Sequence, residues 1–462
     1  MTNASKSATD ALVEFVTTCR AEDISEVAKS ACRTFLLDSL GVAVAGSAAP
    51  WARQLLYMQT QWGSGDDARS WVFGNRLPAP AAAFTNAYQI HNSEFDCIHE
   101  AAVVHPMAVT LPALMAVAER EGDVSGETIL AALTIGVEVA CTIGVSATGG
   151  MRFFRPATAG AFGAVAAIGW LLGFNAETLR NALGVVYGQM SGNMQAHTEG
   201  SVLLAMQVGF NARNAVTASD IAAAGIDAPR EMFEGEFGYF KLFEESDSFT
   251  SVVAEMGSNW RITETAHKPF PSGRATHGVL DAVLEQQRES GFAASDVLRI
   301  EARVPPLTFQ LVGRKPHAEL RPNEARLCIS YVVARALRDG KLGVDDFTPE
   351  ALTDSDTQDL AGRVEVSRED NPNPSALTPV KVTVTLKNGD TLKRTQDLIY
   401  GNPAKPMTQE AHLAKFRTNW RSSALPLPSE NAERLIEAVD GIDTIGDVRE
   451  IVSLLMPETG TS

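Results

Sequence analysis

The stretch Val380-Lys-Val-Thr-Val-Thr-Leu386, followed by Asn388-Gly389 and Thr391-Leu-Lys-Arg394, decides the fold. Apolar and polar side chains alternate along it, the two-residue period of a strand with one covered face, and Asn-Gly is a tight-hairpin signal because both residues tolerate positive φ. Val297-Leu-Arg-Ile-Glu-Ala-Arg-Val304 and Arg363-Val-Glu-Val366 alternate in the same way. Between these strands, helical spacing covers 277–290 and 323–339, the second with Asn323 as N-cap and Gly340 as its stop. Strands mixed with helices make an α+β unit, and Asp370-Asn-Pro-Asn-Pro-Ser375 within it is a surface loop.

Strand signals almost vanish upstream. Two helices are expected within 9–45, others at 51–62, 81–89, 107–119, 126–145, 158–172, 176–190 and 203–224, and a short extended piece around Trp71-Val-Phe73. Alanine and glycine dominate these helices, so their axes can approach closely. Helical spacing returns at 412–420 and 430–436. The expected fold is mainly α: a large all-helical domain from residues 1–263 and 400–462, with a smaller α+β lid domain, 264–399, inserted between them.

Composition sets the partner class. With 45% hydrophobic residues in 462 the chain can bury cores, and its formal charge of −17 argues against nucleic acid or an anionic membrane as partner. A small anion stays open if arginine and lysine converge in one cleft. The five cysteines are odd in number and scattered, without a Cys-x-x-Cys pair, which fits a reducing cytoplasm. No basic start with an apolar core follows Met1, and the uncharged run 157–174, rich in glycine and alanine, reads as a buried helix and not a membrane span.

Chemistry concentrates in His91-Asn-Ser-Glu-Phe-Asp-Cys-Ile-His-Glu-Ala-Ala-Val-Val-His105-Pro106, which holds His91, Glu94, Asp96, His99, Glu100 and His105. Such groups are costly to bury without a partner or a use. Continued helix would set Asp96, His99 and Glu100 on one face at i, i+3 and i+4, a shared acid/base cluster. Two carboxylates beside His99 would favour its protonated form and suit it as a general acid. Pro106 opens a new helix, with the His105 ring placed beside its free N–H groups. His99-Glu100 resembles the start of a zinc-protease motif, but His105 lies six positions on and off that face, so no metal is expected. Cys97 beside His99 could be a nucleophile, though isolated helical cysteines are mostly inert.

Four other spots hold polar groups in unusual settings. Arg155 precedes a helix that starts at Pro156, where an anion would meet both guanidinium and helix N-terminus. Asn193-Met-Gln-Ala-His197-Thr-Glu-Gly200 is a polar loop between apolar helices, and Gln207 sits in an apolar turn. Lys268, Arg274, His267 and His277 gather in one turn-rich segment at the expected domain junction. Of the other histidines, His317 and His412 read as ordinary surface or boundary residues, and His197 as the exception because of its loop.

In this order, Asp38-Ser-Leu-Gly-Val, Phe95-Asp96 with His105-Pro106, Arg155-Pro-Ala-Thr-Ala-Gly, Gly209-Phe-Asn-Ala-Arg213, the Lys268 segment, and Ala325-Arg326 through Tyr331 resemble the MmgE/PrpD family. That family includes 2-methylcitrate dehydratase, cis-aconitate decarboxylase and iminodisuccinate epimerase. The resemblance implies a homodimer, a helical domain with a lid, and metal-free, cofactor-free chemistry on di- or tricarboxylates. It implies that Asp96, His105 and Lys268 lie in the cleft as base, acid or anion ligands. The chain departs from the pattern at Arg155, Leu204, Gln207 and Gly273, where the family has groups suited to proton donation or charge. Arg155 and Arg274 could compensate as carboxylate clamps, and His99 with Glu100 as a proton-transfer pair. The expected function is therefore a lyase with Asp96, His99, His105 and Lys268 catalytic and Glu100, Arg155, Gln207, Arg274 and His277 binding substrate. An epimerase or isomerase on a similar carboxylate, and a carboxylate-binding protein without turnover, remain open alternatives.

Overall fold

The computed structural model describes residues 7–373 and 375–457. Residues 1–6, on which the reading of the N-terminus rested, and Pro374 of the expected 370–375 loop lie outside the described residues.

The chain is mainly α with a small sheet, as the alternation pattern implies. Side-chain caps fix several helix starts: Ser7 for Ala8–Thr18, Ser25 for Glu26–Gly46, Ser125 for Gly126–Ser146 and Asn175 for Ala176–Gln189 each accept from a first-turn N–H. Ala79–His91, Pro106–Glu121, Arg155–Leu171 and Leu203–Ala223 pack on one another around the main core. Small residues set that spacing. Where Gly126–Ser146 crosses Arg155–Leu171, a Cβ on Gly163 would stand 2.4 Å from the Gly136 carbonyl oxygen, so a side chain there would drive the helices apart. Gly126–Ser146 is, among the described residues, the one helix long and apolar enough to cross a membrane, and it is almost wholly buried within the protein.

The sheet has four strands in the order Val364–Arg368, Val297–Val304, Val380–Leu386, Thr391–Gln396. The first pair is parallel and the others antiparallel, with Ile300 opposite both Val364 and Val384. Val297, Ile300, Ala302, Val380, Val382 and Val384 are buried, so the period-two pattern reports a covered face. After the sheet the chain returns, and Gln409–Arg421 and Ser429–Asp440 pack on Glu26–Gly46.

Three local expectations fail. The 323–339 helix is two helices, Pro322–Arg326 and Ile329–Asp339, because Cys328 leaves helical geometry to bridge Gly313; Arg321, not Asn323, is the N-cap. Trp71-Val-Phe73 is a turn, with Val72 at φ 71°. No helix runs through the ionisable stretch: Ala79–His91 stops there, since Asn92 and Ser93 are turn formers and Glu94 takes φ 52°.

Two contacts position the loop beyond that stop. Ile98–His99 pairs antiparallel with Thr265–Ala266, so chain from the C-terminal half runs beside the loop. Asn92 Nδ2 donates to the Gly46 carbonyl at 2.8 Å, and a Cβ on Gly46 would stand 1.8 Å from the Gln89 carbonyl oxygen, which only glycine permits.

Candidate active site

The break after His91 turns the ionisable stretch back on itself. His91 Nδ1 lies 3.0 Å from Asp96 Oδ2, and His105 Nδ1 lies 3.1 Å from the same oxygen from the other side, off the hydrogen-bond line. The two rings meet edge to face, centroids 4.8 Å apart. His105 is the N-cap residue of Pro106–Glu121, but its ring turns to Asp96 and makes no cap bond, contrary to expectation. Lys268, two residues past the Thr265–Ala266 strand, donates from Nζ to Glu94 Oε2 at 2.9 Å and to the Glu94 carbonyl at 3.1 Å. Glu94 Oε1 lies 3.7 Å from His91 Nε2, which joins lysine, glutamate, histidine and aspartate into one buried chain.

This arrangement separates the two imidazoles. Burial works against charge on His91, but the Asp96 and Glu94 carboxylates outweigh it and raise its pKa. For His105 burial wins, helped by Lys268 and His91, and its pKa falls. Burial opposes ionisation of Asp96, yet His105 and His91 hold it well below the usual carboxylate range. Glu94 is likewise depressed to about 2 against its burial, by Lys268 first and the two histidines after. Near neutral pH the cluster holds one imidazole that favours the proton and one that favours its loss, the division of labour that acid/base chemistry requires. His105 keeps 8% of its side chain exposed and His91 none, so His105 is the one a small molecule can reach.

Arg326, close enough to feel the Glu94 charge, and Asn92, next to His91 in the chain, face open space that His91, Glu94, Asp96, His105 and Lys268 do not themselves line. Both line a cavity of about 360 Å³ that also takes in Tyr88, Ser201, Val202 and Arg321. Arg326 stacks 4.7 Å over the Phe347 ring, its Nε is buried without a partner, and among the described residues no carboxylate forms an ion pair with it. Burial lowers its pKa to about 10, opposed by Glu94, so it stays cationic at neutral pH. His197, on the far loop, is brought close enough to feel the Glu94 charge, and burial with Arg314 lowers it to about 4.

Residues 10–251 match the MmgE/PrpD N-terminal domain and residues 270–443 the MmgE/PrpD C-terminal domain. The chain belongs to the MmgE/PrpD family. It is 28% identical over 446 residues to human cis-aconitate decarboxylase, covering 92% of this chain and 89% of the relative. It is 27% identical over 450 residues to the mouse enzyme of that name, with 92% and 88% covered. It is 25% identical over 481 residues to the cis-aconitate decarboxylase of Aspergillus terreus, with 98% and 96% covered.

In this MmgE/PrpD chain the other residues singled out from sequence go elsewhere. His99 does not share a face with Asp96; its Nε2 meets Glu264 Oε2 at 2.9 Å and its Nδ1 accepts from the Ala102 N–H. Glu100 and Arg274 pair with each other at 2.7 Å, and Arg274 also donates to the carbonyls of His267, Tyr400 and Ile399. Arg155 is gripped by Glu244 at 2.8 and 3.0 Å and donates to the Ala102 carbonyl, so neither arginine is a free clamp. Gln207 holds the loop at Asn193, accepting its N–H at 2.8 Å and donating to its carbonyl at 3.2 Å. His277 is fully buried beside Arg274 and the Ser272 carbonyl, and burial with Arg274 holds it neutral. Sequence reasoning assigned no role to His91, Glu94 or Arg326. The first two were within reach, because Asn92-Ser93 is a turn signal that ends the helix and folds His91 towards Asp96.

Proposed function

We propose that this chain is a lyase of decarboxylase or dehydratase type acting on a small di- or tricarboxylate such as cis-aconitate, with its own side chains supplying the chemistry. The names of its relatives support the substrate class, and one observation carries the mechanism: a buried Asp96 shared by two imidazoles whose pKa values move in opposite directions. Arg326, which no carboxylate among the described residues holds, receives a substrate carboxylate, where a desolvated cation is worth more than in water, and Lys268 holds Glu94 beside the imidazole pair. In a dehydration, neutral His105 takes the proton next to a carboxylate and passes it to the departing hydroxide, which leaves as water. In a decarboxylation, the C–C bond breaks, its electron pair spreads into a remaining carboxylate, and His105, reprotonated from His91 across the shared Asp96, returns one proton to carbon. Asp96 keeps both rings in register, and the 264–399 part, which carries Lys268 and Arg326, forms the movable wall of the cleft.

Full-length protein is incubated with cis-aconitate and related tricarboxylates in heavy water. Loss of carbon dioxide with deuterium at the newly protonated carbon, or loss of water, is expected, and His105→Gln lowers kcat by about 10²–10⁴-fold. Exchange of deuterium with no group lost would instead identify an isomerase using the same two imidazoles. Tight binding by calorimetry with no turnover of any bound compound would overturn the enzymatic reading.

A further inference from the structure

A second buried cluster lies outside this site. Asp38 on Glu26–Gly46, His267 in the segment before Lys268, and His412 on Gln409–Arg421 converge so that one ligand atom from each lies within 4.8 Å of the others. All three side chains are more than nine-tenths buried, at 2%, 8% and 7% exposure. Asp38 Oδ2, His267 Nε2 and His412 Nδ1 each have no hydrogen-bond partner, although orphaned buried polar atoms are rare in folded proteins. The imidazoles meet edge to face at 5.1 Å between centroids, and Phe35 packs on His267 at 4.7 Å.

The surroundings define what could satisfy three inward-facing acceptors or donors at once. Lys415 occupies the other carboxylate oxygen, donating to Asp38 Oδ1 at 2.7 Å and to the Phe95 carbonyl at 2.9 Å, so Asp38 is oriented with Oδ2 left over. The His267 backbone is fixed as well: its N–H donates to the Gly401 carbonyl, and its carbonyl accepts from Arg274. A cavity of about 510 Å³ reaches His267 and His412 from the surface, with Glu437 and Asp440 in its wall, an acidic approach for a cation. Arg33 in the same wall is paired with Asp443.

The geometry points to a binding site for a first-row divalent metal ion, zinc or its neighbours, with Asp38, His267 and His412 as ligands and solvent from the cavity completing the shell. Two imidazoles and one carboxylate are a donor set that such ions accept, with metal–ligand bonds near 2.0–2.2 Å that place tetrahedral ligand atoms about 3.4 Å apart. Binding would draw the ligand atoms in from the 4.8 Å within which they lie. Lys415 adds a positive charge nearby and makes the site weaker than a thiolate site. The ion would tie three distant chain segments together, one of them directly preceding Lys268. This inference stands independently of the proposed reaction.

The test uses full-length protein stripped with a chelator and titrated with Zn²⁺ by calorimetry, and with Co²⁺ by visible absorption. One equivalent of Zn²⁺ is expected, with a Co²⁺ ligand-field band. His412→Gln and, separately, His267→Asn should each weaken Zn²⁺ at least tenfold and remove the band. Far-UV circular dichroism identifies a variant that has not folded, and the other variant then decides. The other His-Asp-His group, His91, Asp96 and His105, serves as the control. Binding lost in His91→Gln but kept in both His412→Gln and His267→Asn overturns the assignment, as does wild-type protein that takes up no stoichiometric Zn²⁺.

Discussion

Replacing Glu94 by glutamine tests how the cluster is held together. Glu94 titrates at about 2 in the folded protein against an ordinary value of 4.5, because Lys268 and the two histidines outweigh its burial. At about 1.4 kcal/mol per pH unit, that difference corresponds to about 3 kcal/mol of stability. Since the folded value is the lower one, this stability is present above pH 4.5 and is lost as pH falls towards 2. Glutamine keeps the shape but leaves the fully buried Lys268 ammonium without its counter-charge, a loss of about 3–5 kcal/mol by the general behaviour of broken buried pairs. For 462 residues, an unfolding entropy of about 2.1 cal/mol/K per residue sums to about 1 kcal/mol/K, so Tm should fall by about 3–5 °C at pH 7. Lys268→Met should cost a similar amount alone, and the double variant should recover at least half of the summed loss, since neither charge is then stranded. Urea and thermal unfolding of the four proteins close the cycle. A Glu94→Gln protein within 1 °C of wild type, or strictly additive losses, would refute the pairing.

Three further outcomes are expected. Asp96→Asn should lower kcat about 10²–10⁴-fold with little change in KM, whereas His99→Gln, whose ring meets Glu264 instead, should stay within about threefold in steady-state kinetics. Arg326→Met should raise KM for a tricarboxylate about 10–100-fold with a smaller effect on kcat, matching the loss of one charge-assisted contact worth about 1.5–3 kcal/mol. Burial raises Glu138 from 4.5 to about 7. The folded state therefore binds the extra proton between those values, and stability contributed by Glu138 declines as pH rises through that window. Urea midpoints measured from pH 5 to 8 should show a shallower decline in Glu138→Gln.

The fold was legible where periodicity is local. Val380–Leu386 and Val297–Val304 alternate because one face is covered, and Gly126–Ser146 follows its own apolar run to within a residue. The site was legible in composition but not in geometry. Crowding of charge between His91 and His105 flagged the right loop, yet helical spacing misplaced His99 and Glu100, because Ile98–His99 pairs with the distant Thr265–Ala266 and the His99 ring meets Glu264, 165 residues away. Arg155 looked available since its partner, Glu244, lies 89 residues downstream with no motif to announce it. Arg326 stayed hidden inside a segment read as uninterrupted helix, and the break at Leu327-Cys328 that frees it depends on a tertiary bridge to Gly313.

The separation of 174 residues between Glu94 and Lys268 has a consequence for biosynthesis. At about 5–20 residues per second, the ribosome adds the lysine roughly 10–35 s after the glutamate. Throughout that interval the acidic loop on the nascent chain lacks its lysine counter-ion, so the loop must stay hydrated and the helices around it cannot seal. Docking of the early helices should therefore wait for the later half of the polypeptide, and a truncated N-terminal fragment ending before residue 265 should engage chaperones where the whole chain does not.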